Sequence, residues 1–589
     1  MMDARGWDAV IIGGSDPHSS EYPAERWQQV RFVSDFTGEA GDIVITREHA
    51  GLWTDTRYFI QAASQLSGSE IQLHKLRIPE AVPIPRWLAE EAFPVEEDII
   101  IAVDGLCQSV GAVEELRCAF GGRRVEIVSV PDMLSPLWPD RPAIPETPII
   151  TLGEELTGLS RDHKLRELRK FLMEKDCDAI VLSALDEIAW TLNIRASDIE
   201  YNPYAISYLV VSMDKADWYV RKDTFAEPDE ETASSFYELR SDGVQEQPYD
   251  DIDFALGELG GRVFIDTKTL NYHVYNALSG AQKVCGTSPV GLWKAVKTQT
   301  EIDLMRETHV EDGLAMEKFL FWLETALRSG EPVTERSAAL KLGEQRSLID
   351  GYRGDSFETI SAFGENAALP HYVTPAEGAP YLEPRGLYLV DSGGQFLSGT
   401  TDITRTIPLG PCTPLEREDY TLVLKGHIAL AMAVFPLGTA GCQIDALARA
   451  PLWNSKRNFG HGTGHGVGFF LGVHEGPQDI RQNFNPQPLL PGMVSSDEPG
   501  IYREGMHGVR HENLLLTVDA GENEFGRWAA FDTLTLCHFD TSIIVPGILS
   551  RDESAWLNAY NERVFRTLSP RLDAETAAWL RKKTLPYLL

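Results

Sequence analysis

His461-Gly-Thr-Gly-His465-Gly-Val-Gly468, running on through Phe469-Phe-Leu-Gly-Val-His474-Glu475-Gly-Pro477, is the stretch around which the chain is organised. Glycines at 462, 464, 466 and 468 free the backbone to bring three histidines against a bound group. The spacing of four between His461 and His465 matches the two-histidine face of helical zinc proteases. Glycine, however, costs a helix interior about 1 kcal/mol each, so this run predicts a loop or bent strand. The histidines then need not all serve one metal.

Two strand pairs flank the run. Leu387-Tyr-Leu-Val-Asp391-Ser-Gly-Gly and Gly399-Thr-Thr-Asp402-Ile-Thr-Arg-Thr-Ile read as two strands joined by a glycine-containing turn, each with one aspartate. Met493-Val-Ser-Ser-Asp-Glu498-Pro-Gly-Ile-Tyr and Gly508-Val-Arg-His-Glu512-Asn-Leu-Leu-Leu-Thr-Val read as a second pair, each with one glutamate. Four carboxylates and one imidazole suit a pair of hard or borderline divalent ions such as Mn, Co or Zn. Two such ions hold a hydroxide between them at neutral pH and polarise a carbonyl, which is hydrolase chemistry. A lone acid at a strand end is usually a solvated turn. The paired hairpins together with the histidine run resist that explanation, because uncompensated buried carboxylates are expensive.

Further out, residues 1–150 alternate short apolar runs with helical patterns: Ala9-Val-Ile-Ile, Asp42-Ile-Val-Ile-Thr, Asp98-Ile-Ile-Ile-Ala-Val and Val125-Glu-Ile-Val. This is the rhythm of an α/β domain. A proline-rich linker, Pro131 to Pro148, leads to a second α/β unit over 151–296, with a helix near Arg161–Lys175 and strands at Asp178-Ala-Ile-Val-Leu, Tyr208-Leu-Val-Val and Arg262-Val-Phe-Ile-Asp. Both units share an aromatic-rich middle, which hints at an internal duplication. A long amphipathic helix from Thr300 to about Leu327 opens the third domain, 297–589. A second helix runs from Leu415 to about Phe435, and helical patterns resume in a C-terminal extension over about 525–589.

The length of 589 residues predicts about three or four domains. A net charge of −35, without a run of five like charges, excludes nucleic acid as a partner, since that binding rests on Lys and Arg neutralising phosphates. Seven dispersed cysteines without a C-x-x-C motif fit a reducing compartment. The N-terminus does not read as a signal peptide, and no apolar run approaches the roughly 20 residues of a membrane span. A cytoplasmic protein is expected.

Five motifs in order carry a resemblance: Asp391-Ser-Gly-Gly-Gln-Phe with Thr401-Asp402-Ile-Thr-Arg-Thr, the HGTGHGVG run, Val473-His474-Glu-Gly-Pro, Glu498-Pro-Gly, and Arg510-His-Glu512-Asn. They are similar to those of the Xaa-Pro aminopeptidases of the pita-bread metallopeptidase family. Asp16-Pro-His-Ser-Ser-Glu-Tyr, Leu52-Trp-Thr-Asp-Thr-Arg57-Tyr-Phe-Ile-Gln-Ala, Phe531-Asp-Thr-Leu-Thr-Leu and Trp556-Leu-Asn-Ala-Tyr extend the resemblance over nearly the whole chain. It implies a multidomain α/β and α+β protein: two creatinase-N-like α/β domains followed by a pita-bread catalytic domain.

The resemblance further implies metal ligation by Asp391, Asp402, His465, Glu498 and Glu512, with Asp402 and Glu512 bridging two divalent ions, in that family usually manganese. His371, His461 and His474 would line the site and steady the substrate and the developing oxyanion. Glu498 would serve as base toward the bridging water, and Arg57 would bind substrate. The substrates expected are peptides with proline at the second position, and the assembly a homodimer.

Prolidase, which cleaves only Xaa-Pro dipeptides, is the near alternative. Methionine aminopeptidase would not need some 290 residues before its catalytic domain, and a ligand-less binding protein of this fold would not keep all five ligand positions. His511 departs from the family pattern, which has an apolar residue between the arginine and the glutamate. Strand alternation points it away from Arg510 and Glu512, so its effect should be small.

Overall fold

A computed structural model of the chain describes residues 1–95, 98–221 and 230–588. It divides into two compact units, one of Met1–Glu154 with Leu159–Val290 and the other of Glu155–Gly158 with Gly291–Leu589.

The first unit holds two six-stranded sheets. From edge to edge, the first runs Gln72–Lys75, Ala50–Thr54, Asp42–Thr46, Ala9–Ile12, Ile99–Val103 and Val125–Ser129. The second runs Val244–Pro248, Ala216–Val220, Ser207–Ser212, Ala179–Leu182, Arg262–Ile265 and Gln282–Cys285. Counted in chain order, both follow 4-3-2-1-5-6. In both, strand 1 pairs antiparallel with 2 and 2 with 3, whereas 3–4, 1–5 and 5–6 are parallel. The hinted duplication is thus present in the topology. The aromatic-rich middles differ: Leu52 and Trp53 lie on a strand, whereas Ile188–Leu192 end a helix, Leu185–Leu192.

Buried His18 links the two sheets' surroundings, its Nδ1 2.9 Å from the Ser183 carbonyl and its Nε2 2.9 Å from the Tyr249 hydroxyl. It is a satisfied core histidine.

In the second unit the long helix spans Gln299–Ser329. Thr298 caps it reciprocally with Glu301, and Gly330 in the left-handed conformation ends it. Met305, Leu314, Met316, Phe319, Leu320 and Leu323 are buried, and most of them join the core shared with helices Pro414–Ala431, Arg551–Leu568 and Ala574–Lys583. The helix expected to reach Phe435 stops at Ala431, because Val434–Pro436 pairs as a strand with Trp528–Ala530. A six-stranded sheet runs Val434–Pro436, Gly526–Thr533, Asn513–Asn523, Val494–Asp497, Gly464–Gly466 and Glu475–Ile480, and places the glycine-rich run beside the glutamate hairpin. Among the described residues, no helix is long and apolar enough to cross a membrane.

Candidate metal centre

Both acidic hairpins are interrupted, and acids sit at the interruptions. Strand Leu387–Ser392 pairs antiparallel with Ile403–Pro408, with Asp391 opposite Thr404. Past Ser392 the chain enters a separate ladder, Gly394–Phe396 with Gly399–Thr400, so Asp402 lies in the gap before Ile403. In the second hairpin Val494–Asp497 pairs with Asn513–Leu516, and Gly500–Arg503 pairs with His507–Arg510. Glu498 and Glu512 fall between these ladders, on opposite strands. Pro499 accounts for one side of that break, since it has no N–H to extend a ladder.

His465 reaches the acids from the bent strand Gly464–Gly466, which agrees with the conformation expected from its glycines. Its backbone N–H donates to Ser496 Oγ at 3.0 Å. Its Nδ1 lies 3.0 Å from the Gly466 carbonyl, which fixes the proton there and leaves the Nε2 lone pair directed at the carboxylates. Nε2 is 3.4 Å from Asp402 Oδ2 and 3.5 Å from Glu498 Oε1. One donor atom each from Asp402, His465 and Glu512 lie within 4.8 Å of one another.

The electrostatics ask for cations. Asp391, Asp402 and Glu512 are buried, and among the described residues the guanidinium that touches their carboxylates is that of Arg510, on Asp391 Oδ2 through Nε at 3.1 Å and Nη2 at 2.5 Å. Burial, reinforced by Asp402, Asp391 and Glu498, holds the Glu512 carboxyl well above the usual range. Burial pushes Glu498 up to about 7, with Asp402 and Asp391 adding to it, and raises Asp391 likewise. Asp391 Oδ1 is buried without a hydrogen-bond partner among the described residues. Clustered carboxylates, an orphaned buried oxygen and a correctly presented imidazole fit divalent metal ions, because a cation between them would relieve repulsion that the protein itself leaves standing.

The other expected site residues divide. His474 packs edge-on against His465, with ring centroids 4.4 Å apart. His461 Nε2 is 2.8 Å from the Tyr502 hydroxyl, which accepts from Arg510 Nη1 at 2.8 Å. Arg510 also donates to the carbonyl of Pro370, which draws the segment bearing His371 toward the same guanidinium. Arg57 belongs to the other unit, where Asp55 holds its guanidinium through Nε and Nη2, both at 2.9 Å.

Three contributors escaped the sequence reading as site residues: Arg510, Tyr502 and Thr404, whose hydroxyl donates to Glu512 Oε2 at 2.8 Å. Their signal was proximity in the motifs, since each lies within four residues of a site acid.

Comparison with known proteins follows the same outline. Residues 303–519 match metallopeptidase family M24, and 527–587 match the C-terminal region of peptidase M24. Residues 1–137 and 140–301 each match the creatinase/prolidase N-terminal domain. A probable Xaa-Pro aminopeptidase P of Verticillium alfalfae is 38% identical, over 100% of this chain and 97% of its own. Aminopeptidase P2 of Arabidopsis thaliana is 36% identical, over 99% of this chain and 86% of its own. The crystal structure of X-prolyl aminopeptidase from Caenorhabditis elegans, described as a cytosolic enzyme with a di-nuclear active site, superposes with a TM-score of 0.93 at 35% identity, covering 99% of this chain and 95% of that one.

Proposed function

Because the chain belongs to the Xaa-Pro aminopeptidases of metallopeptidase family M24, with two creatinase-type N-terminal domains, we propose for it the residue-level account that follows. It is a dinuclear metal-dependent aminopeptidase that hydrolyses the N-terminal Xaa-Pro bond of peptides. Proline's amide has no N–H and a locked φ, so enzymes that grip the chain by that N–H cannot use it.

The observation that carries the site assignment is the cluster of carboxylates around His465 Nε2, in which the Arg510 guanidinium is paired with Asp391. Asp391, Asp402, His465, Glu498 and Glu512 would hold two divalent ions, which we take to be manganese, with Asp402 and Glu512 shared between them. Such ions supply a nucleophile from water at neutral pH and polarise the scissile carbonyl. Glu498 takes the proton of the attacking water, a role supported by its place beside His465, Oε1 lying 3.5 Å from Nε2. His371, His461 and His474 orient the substrate and donate to its developing oxyanion. His461 is anchored through Nδ1 by the Gly462 carbonyl at 2.7 Å, and its Nε2 would exchange the Tyr502 hydroxyl, which Arg510 fixes, for the substrate.

Arg57 is assigned to substrate beyond proline, and its Asp55 partner keeps the guanidinium oriented. We divide the chain functionally at 1–150, 151–296 and 297–589. We place it in the cytoplasm, a reading supported by the relative described as a cytosolic enzyme, and as a homodimer.

The test is cleavage of an Xaa-Pro dipeptide and an Xaa-Pro-Xaa tripeptide by the same preparation, metal-free and with manganese restored. Manganese-dependent release of the first residue from the tripeptide is expected. Cleavage of the dipeptide alone would make the protein a prolidase. Cleavage of neither, with two metal equivalents bound, would overturn the reading.

A further inference from the structure

Three charged side chains lie buried beside the histidine loop. Glu475, the residue after His474, meets Lys294 Nζ at 3.0 Å through Oε2 and Lys297 Nζ at 3.1 Å through Oε1. None of the three side chains is more than 2% exposed. Lys297 Nζ also donates to the Lys294 carbonyl at 3.1 Å and the Ala295 carbonyl at 3.4 Å, and its backbone N–H donates to the Gly492 carbonyl at 3.0 Å. The ammonium is therefore fixed at several points, and it fixes the carboxylate.

Glu475 in turn governs both ends of the loop. In the ladder it pairs with Gly466, at the place where the register shifts next to His465. A side chain at Gly466 would collide with the Glu475 carbonyl oxygen, and one at Gly468 would start 2.7 Å from Glu475 Oε2. Two of the four glycines in the run are thus required by the approach of Glu475. At the crown of the loop, Gln395 Nε2 donates to the Leu471 carbonyl at 2.7 Å, while Gln395 Oε1 accepts from Thr400 at 2.8 Å. Phe470 there has a φ of 45°, a conformation that persists only where the surroundings enforce it.

A buried carboxylate between two lysines is a poor device for stability, because desolvation offsets attraction and apolar residues would fill the space as well. What it supplies is direction. Oε1 accepts a hydrogen bond from Lys297, Oε2 lies in ion-pair contact with Lys294, and the adjacent residue is His474, whose ring lies against His465. We propose that Lys294, Lys297 and Glu475 form a buried clamp that positions His474 relative to His465, making all three positioning residues for hydrolysis. The clamp rests on the assignment of His474 to the reacting substrate.

Lys297→Met leaves one lysine opposite Glu475 and should fold. It is expected to lower kcat on an Xaa-Pro-Xaa tripeptide by about 10- to 100-fold, as small misplacements of catalytic groups do, with KM unchanged and two manganese ions retained. Hydrogen exchange over 462–475 in its metal-free form should accelerate. Lys297→Arg should recover most of the lost kcat, and Glu475→Gln, if it folds, should lose more than Lys297→Met. A wild-type kcat in Lys297→Met with only a lower melting temperature would overturn the clamp, as would loss of kcat in proportion to metal. Unchanged exchange would overturn it independently of activity. Failure of the wild type to cleave Xaa-Pro peptides would instead strike the function on which the clamp rests.

Discussion

Two buried acidic centres in the same unit have opposite chemistry. Asp419, on the helix Pro414–Ala431, has no exposed surface and meets two guanidiniums and an imidazole: Arg457 Nε at 2.7 Å, Arg503 Nε at 2.5 Å and His507 Nε2 at 3.0 Å. Although burial alone would raise it, the His507, Arg503 and Arg457 partners bring its carboxyl down to about 2. Among the acids around His465, Asp391 pairs with Arg510, and burial with mutual repulsion carries Glu498 and Glu512 upward. Burial is common to both, and compensation separates them. A buried carboxylate is structural where the chain supplies its counter-charge, and it marks a ligand site where the chain withholds it.

The largest expected effect lies on the withheld side. Glu512→Gln preserves shape while removing one proposed ligand charge, so turnover should fall by more than about 10³-fold, with fewer than two metals retained by elemental analysis. The metal-free variant should melt no lower than the metal-free wild type, because a like charge has left a repulsive cluster. A variant with full metal and full activity would remove Glu512 from the ligand set. A metal-free variant that melts well below wild type would show that the cluster is compensated after all, and the contrast with Asp419 would collapse.

Asp419 should answer in the reverse sense. Asp419→Ala leaves two guanidiniums and an imidazole facing one another, at a cost of about 3 kcal/mol, the low end for a broken buried pair because Arg503 keeps contact with water. Activity per folded molecule and metal content should stay near wild type. Since the folded Asp419 carboxyl lies below its ordinary value of about 3.9, its contribution is complete above that value and is lost as pH falls through about 2. Denaturant melts from pH 6 down to pH 2 should therefore show the wild type losing its advantage over Asp419→Ala at the acid end. A constant gap across that range would mean that Asp419 is not held by charge.

How much of this was legible in the sequence depended on distance along the chain. The glycine run, the acidic motifs and the paired strands are local, and each was readable from residue types and spacing. The α/β rhythm of the first unit was readable for the same reason, because Ala9–Ile12 and Ile99–Val103 are short apolar runs with turn signals around them. The counter-charges were not. Asp419 takes its partners from 38 to 88 residues away, and Glu475 meets Lys297 across 178. No periodicity announces such pairs, and in a chain with 88 acidic residues most carboxylates are solvated. Of the two hairpin interruptions, that of the glutamate pair had a local sign in Pro499, which has no N–H to extend a ladder.

The smallest effect concerns a third kind of buried polar group, one for which the chain supplies nothing. His511 has no exposed surface, and neither ring nitrogen has a hydrogen-bond partner among the described residues. Its ring lies edge-on to Tyr420 and Phe539, with centroids 4.5 and 5.5 Å away. Those contacts agree with the expectation that strand alternation turns it away from Arg510 and Glu512. A buried, unsatisfied polar group costs about 1–3 kcal/mol, and edge-on aromatic contacts return about 0.5–1.5 kcal/mol each. With both ring nitrogens unsatisfied against two ring contacts, desolvation is ahead. His511→Leu, which keeps the volume and removes both nitrogens, should leave stability unchanged or raise it by up to about 1 kcal/mol, with turnover within twofold of wild type. A loss of stability beyond about 1 kcal/mol would show that the imidazole is partnered and belongs with Asp419. A fall in metal content with the fold intact would place it instead in the outer shell of the metal centre.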